Sequence, residues 1–148
     1  MKKLSNGEKR GPSGMNNKHK HLEFIQSAIT RMATNMFYLR GWAITILAAL
    51  LALFIKTDTP HYVFCYLTVI LCTFWISDGY FLGQERLFRD LYDDVRMKNE
   101  IDIDFSMNTK PYKQFKRNSM IVSMFSFTLL IFYSPLVVIA TFITLLLK

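Results

Sequence analysis

The apolar residues in the first third of the chain recur at alternating intervals of three and four positions. They are Leu22, Ile25, Ile29, Met32, Met36, Leu39, Ala43, Ile46, Leu50 and Leu53. In a helix this spacing places every member on one face, as in the seam of a coiled coil. The repeat begins in a polar, basic stretch and continues into an uncharged one. It therefore predicts one helix that passes from water into lipid with the same face packed throughout.

Long stretches without charge predict three membrane spans. Residues 41–55, 59–77 and 118–147 contain no Asp, Glu, Lys or Arg. A helix needs about 20 apolar residues to cross a bilayer, so the spans are placed at about residues 38–56, 60–80 and 118–147. We expect the third span to bend at Pro135, because proline removes a backbone donor.

The second predicted helix continues beyond the membrane. Leu87, Leu91 and Val95 repeat at helical spacing, with charged residues on the opposite face. The acids Asp90 and Asp94 fit this solvated face, as does Asp93.

The predicted fold is therefore an all-α membrane protein with three transmembrane helices. The first two, at about residues 18–55 and 61–97, are antiparallel and continue into a cytosolic helical stalk. Residues 1–20 are expected to form a disordered basic tail. Residues 21–148 form a single helical membrane domain whose cytoplasmic segment is 81–117.

The basic residues predict the orientation of the spans. Of the 18 Lys and Arg residues, 16 lie before the first span or between the second and the third. Since Lys and Arg stay on the cytoplasmic side of membrane segments, we expect the amino terminus in the cytoplasm and the carboxyl terminus on the far side. The net charge of +7 is concentrated in the tail. Contact of this tail with the lipid bilayer is favoured, and no specific nucleic-acid binding is expected.

An alternating pattern follows the second helix, in a segment that we call the hook (residues 101–105). Ile101, Ile103 and Phe105 alternate with Asp102 and Asp104, which predicts a short extended segment. We favour packing of its apolar side on the stalk. The alternative is that it adds as an edge strand to a neighbouring or partner protein.

Asp78 is the one acid embedded near a predicted span. Counted by helix rise from the outer turn, Asp78 lies about 27 Å away and Arg40 about 24 Å away. The two charges thus share one depth near the inner boundary of the membrane, and we favour an ion pair between them. The alternative is that Asp78 belongs to an ion or proton path, because ionisable residues at such depth are often functional.

The third predicted span carries a line of hydroxyl side chains, which we call the hydroxyl face. They are Ser119, Ser123, Ser126, Tyr133, Thr141 and Thr144. Such residues usually mediate close packing between membrane helices, and we favour this interpretation. In a ring of subunits the same face would line a pore.

The sequence contains no pattern typical of a catalytic, cofactor-binding or metal-binding site. His19 and His21 lie in the tail without further ligands nearby, and there is no Gly-rich phosphate loop or nucleophile elbow. Cys65 and Cys72 lie seven positions apart on one predicted helix, too far apart for a disulfide. We therefore expect no enzymatic activity and no cofactor.

Five phrases of the sequence resemble an uncharacterised group of small bacterial inner-membrane proteins. They are Lys20-His21-Leu22-Glu23-Phe24-Ile25-Gln26, Arg40-Gly41-Trp42, Asp78-Gly79-Tyr80-Phe81-Leu82, Gln84-Glu85-Arg86-Leu87-Phe88-Arg89 and Ile103-Asp104-Phe105-Ser106-Met107. The resemblance covers nearly the whole chain after the tail and implies the bacterial inner membrane, with a periplasmic carboxyl terminus. The general design also resembles the small transmembrane effectors of bacterial antiviral systems. Their helical subunits assemble and compromise the inner membrane when triggered.

These patterns and resemblances together lead to two functional expectations. The one that we favour is a non-enzymatic homo-oligomer that forms a pore or depolarises the membrane as an effector of bacterial antiviral defence. The alternative is a membrane anchor or adaptor whose stalk and hook recruit a cytosolic partner enzyme.

Overall fold

The computed structural model describes residues 12–54 and 60–146, and the outer turn expected around Lys56 lies outside these ranges. Helix α1 spans Pro12–Phe54 and helix α2 spans Pro60–Met97. Three short 3-10 turns follow, at Glu100–Asp102, Lys110–Gln114 and Lys116–Asn118. The chain then forms the short helix α3 at Met120–Met124 and the longer helix α4 at Phe127–Leu146.

The prediction of an all-α fold is confirmed, with two long apolar helices. Helices α1 and α2 each contain a stretch long and apolar enough to cross a membrane, Asn17–Leu53 and Cys65–Met97. Helix α4 contains a shorter apolar stretch, Phe127–Ile143. No strand occurs within the described ranges.

Helix α1 begins earlier than the sequence predicted. Its first residue is Pro12, so residues 12–20, which we expected in a disordered tail, are helical. Proline suits the first position of a helix, because its φ is preset and its missing N–H would have no helical partner there. Lys18 ties this end of α1 to α2, since its Nζ donates to the carbonyl oxygens of Arg96 at 3.1 Å and Lys98 at 2.6 Å.

Helices α1 and α2 pack against each other as an antiparallel pair with two apolar clusters along the contact. The first cluster consists of Leu47 from α1, Leu67 and Leu71 from α2, and Ala140 from α4. The second, which we call the stalk cluster, consists of Ile25, Ile29, Leu91, Val95 and Ile103. Residue numbers rise along α1 as those of its partners fall along α2, which defines the antiparallel arrangement.

The predicted seam of α1 faces α2 through most of its length. Met36 and Ala43 are buried, as the repeat requires. Near the end of the helix the buried position shifts by one residue, to Leu47, while Ile46 is 39% and Leu53 67% exposed. A straight helix of 3.6 residues per turn drifts relative to a repeat of 3.5 residues, which explains the shift.

The third apolar segment forms two helices rather than one. A turn at Phe125 and Ser126 separates α3 from α4, whereas Pro135, where we expected the bend, lies inside α4. The Trp75 indole N–H donates to the Met124 carbonyl oxygen at 2.9 Å. This bond satisfies a backbone group at the end of α3, where carbonyls lack helical partners. The segment is therefore interrupted at Phe125 and Ser126, ahead of Pro135, which is accommodated within α4.

The hook is extended at Ile103 but not over its whole length. Glu100–Asp102 forms a 3-10 turn, so Ile101 and Ile103 do not share a face. Ile103 is buried in the stalk cluster, whereas Ile101 is 69% and Phe105 45% exposed. Phe105 has a φ of 53°, a left-handed conformation that is rare for a bulky residue. The alternating pattern therefore predicted the conformation at Ile101 and Asp102 wrongly. The predicted packing on the stalk is found for Ile103.

Gly79 allows α3 to approach α2 closely. A Cβ atom at this position would lie 2.4 Å from Cγ and 3.2 Å from Cα of Met124. A Cβ atom at Gly41 of α1 would have no neighbour within 4 Å. Gly79 and Gly41 therefore form a matched pair of helical glycines, of which only Gly79 lies at a tight contact.

We expect Gly79→Ala to lower the melting temperature in detergent micelles, because the added methyl group overpacks the α2–α3 contact at a cost of about 1–3 kcal/mol. The control Gly41→Ala should raise the melting temperature slightly, since alanine stabilises a helix interior by about 0.5–1 kcal/mol relative to glycine. Thermal unfolding followed by circular dichroism measures both changes. An unchanged melting temperature for Gly79→Ala would show that α3 does not pack tightly on α2.

Candidate functional site

Arg40 and Asp78 form an ion pair that joins α1 to α2. Arg40 Nε donates to Asp78 Oδ2 at 2.8 Å, and Nη2 donates to Oδ1 at 3.4 Å. The Asp78 side chain is fully buried and that of Arg40 is 25% exposed. Two parallel bonds of this kind give a guanidinium–carboxylate pair both strength and a fixed geometry.

Aromatic side chains enclose this ion pair. The Arg40 Cζ atom lies 5.6 Å from the centre of the Phe132 ring, within the range of a cation–π interaction. Tyr133 is 4% exposed, and its hydroxyl lies near the Asp78 carboxylate without meeting the geometry of a hydrogen bond. The ring centres of Tyr133 and Trp75 are 6.4 Å apart. We call these five residues the boundary cluster.

The boundary cluster explains how a carboxylate is accommodated inside the chain. A buried charge is costly unless an opposite charge and hydrogen bonds surround it. Helix α1 supplies Arg40, α2 supplies Asp78 and Trp75, and α4 supplies Phe132 and Tyr133. Because Asp78 has no exposed side-chain surface, the geometry favours the ion pair over a position on an open ion path. The sequence predicted the two charges but not the aromatic residues of α4 around them.

The side chains of the hydroxyl face have different environments. Ser119, Ser126 and Thr141 are half-buried, Ser123 and Tyr133 are buried, and the Thr144 side chain lies outside the described part. Arg86 Nη1 of α2 donates to Ser123 Oγ at 3.3 Å, and Thr141 donates to a carbonyl of its own helix at 2.8 Å. In this structure Ser123 and Tyr133 thus pack against α2 within the chain.

A second polar cluster fastens the segment after the hook to α2. Asp90 accepts hydrogen bonds from Arg117 Nη2 and from Asn118 Nδ2, the latter at 2.6 Å. Asn118 Nδ2 also donates to the Tyr112 carbonyl oxygen at 2.9 Å. Asp90 is only 8% exposed, so its assignment to a solvated helix face was wrong. Its partners lie 27 and 28 residues away along the chain, beyond the reach of any local pattern.

Asp94 lies one helical turn further along α2 and has two partners. It accepts from Lys98 Nζ at 2.6 Å and from the Tyr112 hydroxyl at 2.7 Å. These bonds, that of Lys98 first, lower the pKa of the Asp94 carboxyl below 3.8. Burial and the bond to Asp94 raise the pKa of Tyr112. Asp93, in contrast, is exposed and pairs with Arg96 at 3.4 Å.

The hook contacts the first helix through Phe105. The ring centres of Phe105 and His21 are 5.5 Å apart in an edge-on arrangement, and His21 is 5% exposed. Cys65 and Cys72 are free and exposed. Within residues 12–54 and 60–146, no three His, Cys, Asp or Glu side chains are grouped as metal ligands.

Comparison of the chain with protein-family models, with curated proteins and with solved structures finds no match in any of the three. What the chain does is therefore inferred from its helices and from the boundary cluster.

We expect Arg40→Gln to lower the free energy of unfolding by about 3–5 kcal/mol, because it leaves Asp78 buried without its partner. Replacing both residues by leucine removes the buried charge as well and should cost much less. Arg96→Gln, which breaks the exposed pair on the stalk, is the control and should cost less than about 1 kcal/mol. Denaturant unfolding in detergent micelles measures all three. Arg40→Leu and Asp78→Leu are also measured alone. If the double variant loses as much stability as the two single variants added together, the residues are not a coupled pair.

The contacts of Asp94 should weaken in acid. Because its pKa is lower in the folded chain, the unfolded state binds more protons between the two pKa values. This contribution to stability is present above the ordinary pKa of an aspartate and is lost as the pH falls through the lower pKa that Asp94 has in the folded chain. Hydrogen exchange of the amides in residues 110–118, corrected for the intrinsic rate, should show this loss in the wild type and not in Asp94→Asn. Superimposable profiles would rule out the effect.

Proposed function

We propose that the chain is a non-enzymatic protein of the bacterial inner membrane that assembles into homo-oligomers and permeabilises or depolarises the membrane in antiviral defence. It crosses the membrane three times, with α1, with α2, and with α3 and α4 together. The amino terminus is cytoplasmic and the carboxyl terminus periplasmic. No cofactor is required.

The observation that carries this proposal is the length of α1 and α2. With 43 and 38 residues, they are about 65 and 57 Å long, whereas the hydrocarbon core of a bilayer is about 30 Å thick. Each helix is thus long enough to cross the membrane and to extend a similar distance into the cytosol. Helix α4 has 20 residues and no charge, enough for about 30 Å.

The boundary cluster lies where the apolar halves of these helices meet the stalk. A helix transmits displacement along its axis, so movement of the stalk reaches the Arg40–Asp78 pair directly. Ser123 and Tyr133 are buried in the arrangement described here, and we assign this arrangement to the closed state of the proposed pore. Loss of the ion pair frees α4 to move away from α2 and exposes the hydroxyl face to a path between copies.

One specific observation favours the second candidate function, a membrane anchor or adaptor. Large apolar side chains are exposed at the cytosolic end of the stalk, with Met97 79%, Ile101 69% and Phe24 67% exposed. A cytosolic partner enzyme would cover these side chains. In that case the membrane helices would serve only to hold the partner at the membrane.

Two measurements on the full chain separate these functions. Size-exclusion chromatography with light scattering, after gentle detergent extraction, gives the mass and composition of the complex. Reconstituted vesicles with a potassium gradient and a potential-sensitive dye then report ion leak. We expect a homo-oligomer, and we expect Arg40→Gln to dissipate the potential at least about tenfold faster than wild type, because the closed state loses several kcal/mol of stabilisation.

Arg96→Gln is the matched control, because it breaks the exposed ion pair between Arg96 and Asp93 and leaves the boundary cluster unchanged. It should leave the leak at the wild-type rate. A folded Arg40→Gln oligomer that holds the potential as well as wild type would contradict the pore proposal. A low-copy complex with a stoichiometric cytosolic protein and no leak would identify an anchor.

A further inference from the structure

A groove opens at the cytosolic end of α1, and we call it the stalk groove. It is lined by Asn17, Lys20, His21, Phe24 and Phe105 and has a volume of about 380 Å³. Phe24 is 67% and Phe105 45% exposed. Lys20 takes part in none of the salt bridges found within the described residues. The groove therefore combines apolar rings with a positive charge that no salt bridge among the described residues neutralises.

The tip of the hook has the opposite character. Ile101 is 69% exposed and lies between Glu100 and Asp102 in the 3-10 turn. Like Lys20, Asp102 belongs to none of the salt bridges formed in the described ranges. An exposed aliphatic side chain flanked by acids is complementary, in charge and in apolar character, to a basic groove with aromatic walls.

Lipid does not account for these exposed apolar side chains. Phe24 precedes residue 38, the start of the first proposed span, by about 21 Å of helix rise. Ile101 follows residue 80, the end of the second span, by an even longer segment. Both side chains thus lie in water, where exposed apolar groups clustered with complementary charges are typical of protein contacts.

The groove and the hook tip lie at the same height on the stalk. Lys18 Nζ donates to the Lys98 carbonyl oxygen at 2.6 Å, which places the start of the groove level with the end of α2. The turn at Glu100–Asp102 follows immediately. Copies inserted in one membrane share orientation and depth, so a contact between neighbours joins surfaces of equal height.

We propose that the stalk groove of one copy receives the hook tip of a second copy, with Lys20 against Asp102 and Ile101 against Phe24. This inference rests on the homo-oligomer of the proposed function and assigns its cytosolic contact. A second copy is the occupant that these surfaces fit, because the same chain supplies both the groove and the oppositely charged tip at the required height.

Charge reversal tests the contact directly. Lys20→Glu and Asp102→Lys each place like charges opposite one another, and each should weaken self-association about tenfold or more. The double variant Lys20→Glu/Asp102→Lys restores opposite charges in every contact and should return to near wild-type association. Lys113→Glu, an exposed lysine outside the groove, is the control and should behave as wild type. Light scattering across a dilution series of the detergent-solubilised full chain measures the four variants.

Disulfide trapping tests the same contact by distance. In chains with Cys65→Ala and Cys72→Ala, one copy carries Phe24→Cys and a second copy, with a tag of different mass, carries Ile101→Cys. Mild oxidation of the co-expressed pair should give the mixed covalent dimer. Replacing Ile101→Cys with Phe115→Cys supplies the control, since Phe115 is also exposed but lies outside the hook, and it should give no mixed dimer.

The outcomes separate this inference from the function on which it rests. A wild-type oligomer that is unaffected by both charge reversals, without the mixed dimer, overturns the contact and leaves the homo-oligomer standing. Single variants that dissociate without recovery in the double variant overturn the Lys20–Asp102 pairing. A wild-type chain that is monomeric overturns both the contact and the proposed function.

Discussion

A buried carboxylate requires a partner, and the helices of this chain converge on the one at Asp78. Its side chain has no exposed surface, and the Arg40 guanidinium holds it by two bonds. Loss of either partner would leave a charge inside the chain, which is far more costly than leaving one at the surface. Aromatic residues of α4 complete the enclosure. The position of α4 beside α1 and α2 is thus coupled to the ion pair.

The approach of the third segment to α2 depends on satisfying the backbone as well as on packing apolar surface. Gly79 gives α3 the room to lie against α2, and the Trp75 indole bonds the Met124 carbonyl oxygen at the break before α4. Without a partner, such a carbonyl is costly wherever water is excluded. Trp75 therefore has two roles: it bonds the carbonyl group at the break between α3 and α4, and it packs in the boundary cluster.

Polar contacts on α2 lie at both ends of the stalk. The Arg40–Asp78 pair joins α1 to α2 at one end, and Asp90 and Asp94 fasten the segment after the hook at the other. Helix α2 runs without interruption between them. An event near Asp94 thus has a continuous helix along which to act on the Arg40–Asp78 pair, and the function that we propose relies on this continuity.

Much of this architecture is already determined by the sequence, because it rests on local periodicity and on helix rise. The three-and-four repeat specified the face of α1 that packs, and counting residues from the outer turn placed Arg40 level with Asp78. The uncharged runs predicted the apolar helices. These properties depend on spacing along a single helix, so a sequence displays them directly.

Other features of the fold were decided by tertiary structure, because the spacing of residues along one helix carries no information about them. The sequence pattern placed Asp90 on a solvated helix face, but in the folded chain Arg117 and Asn118 contact it. The break between α3 and α4 lies at Phe125 and Ser126, where a tryptophan of another helix bonds the Met124 carbonyl oxygen, and not at Pro135. Ile101 and Ile103 differ in burial because a short turn overrides the alternation. Each of these results depends on groups distant in sequence, or on competition between local conformations of similar energy, and only packing selects among them.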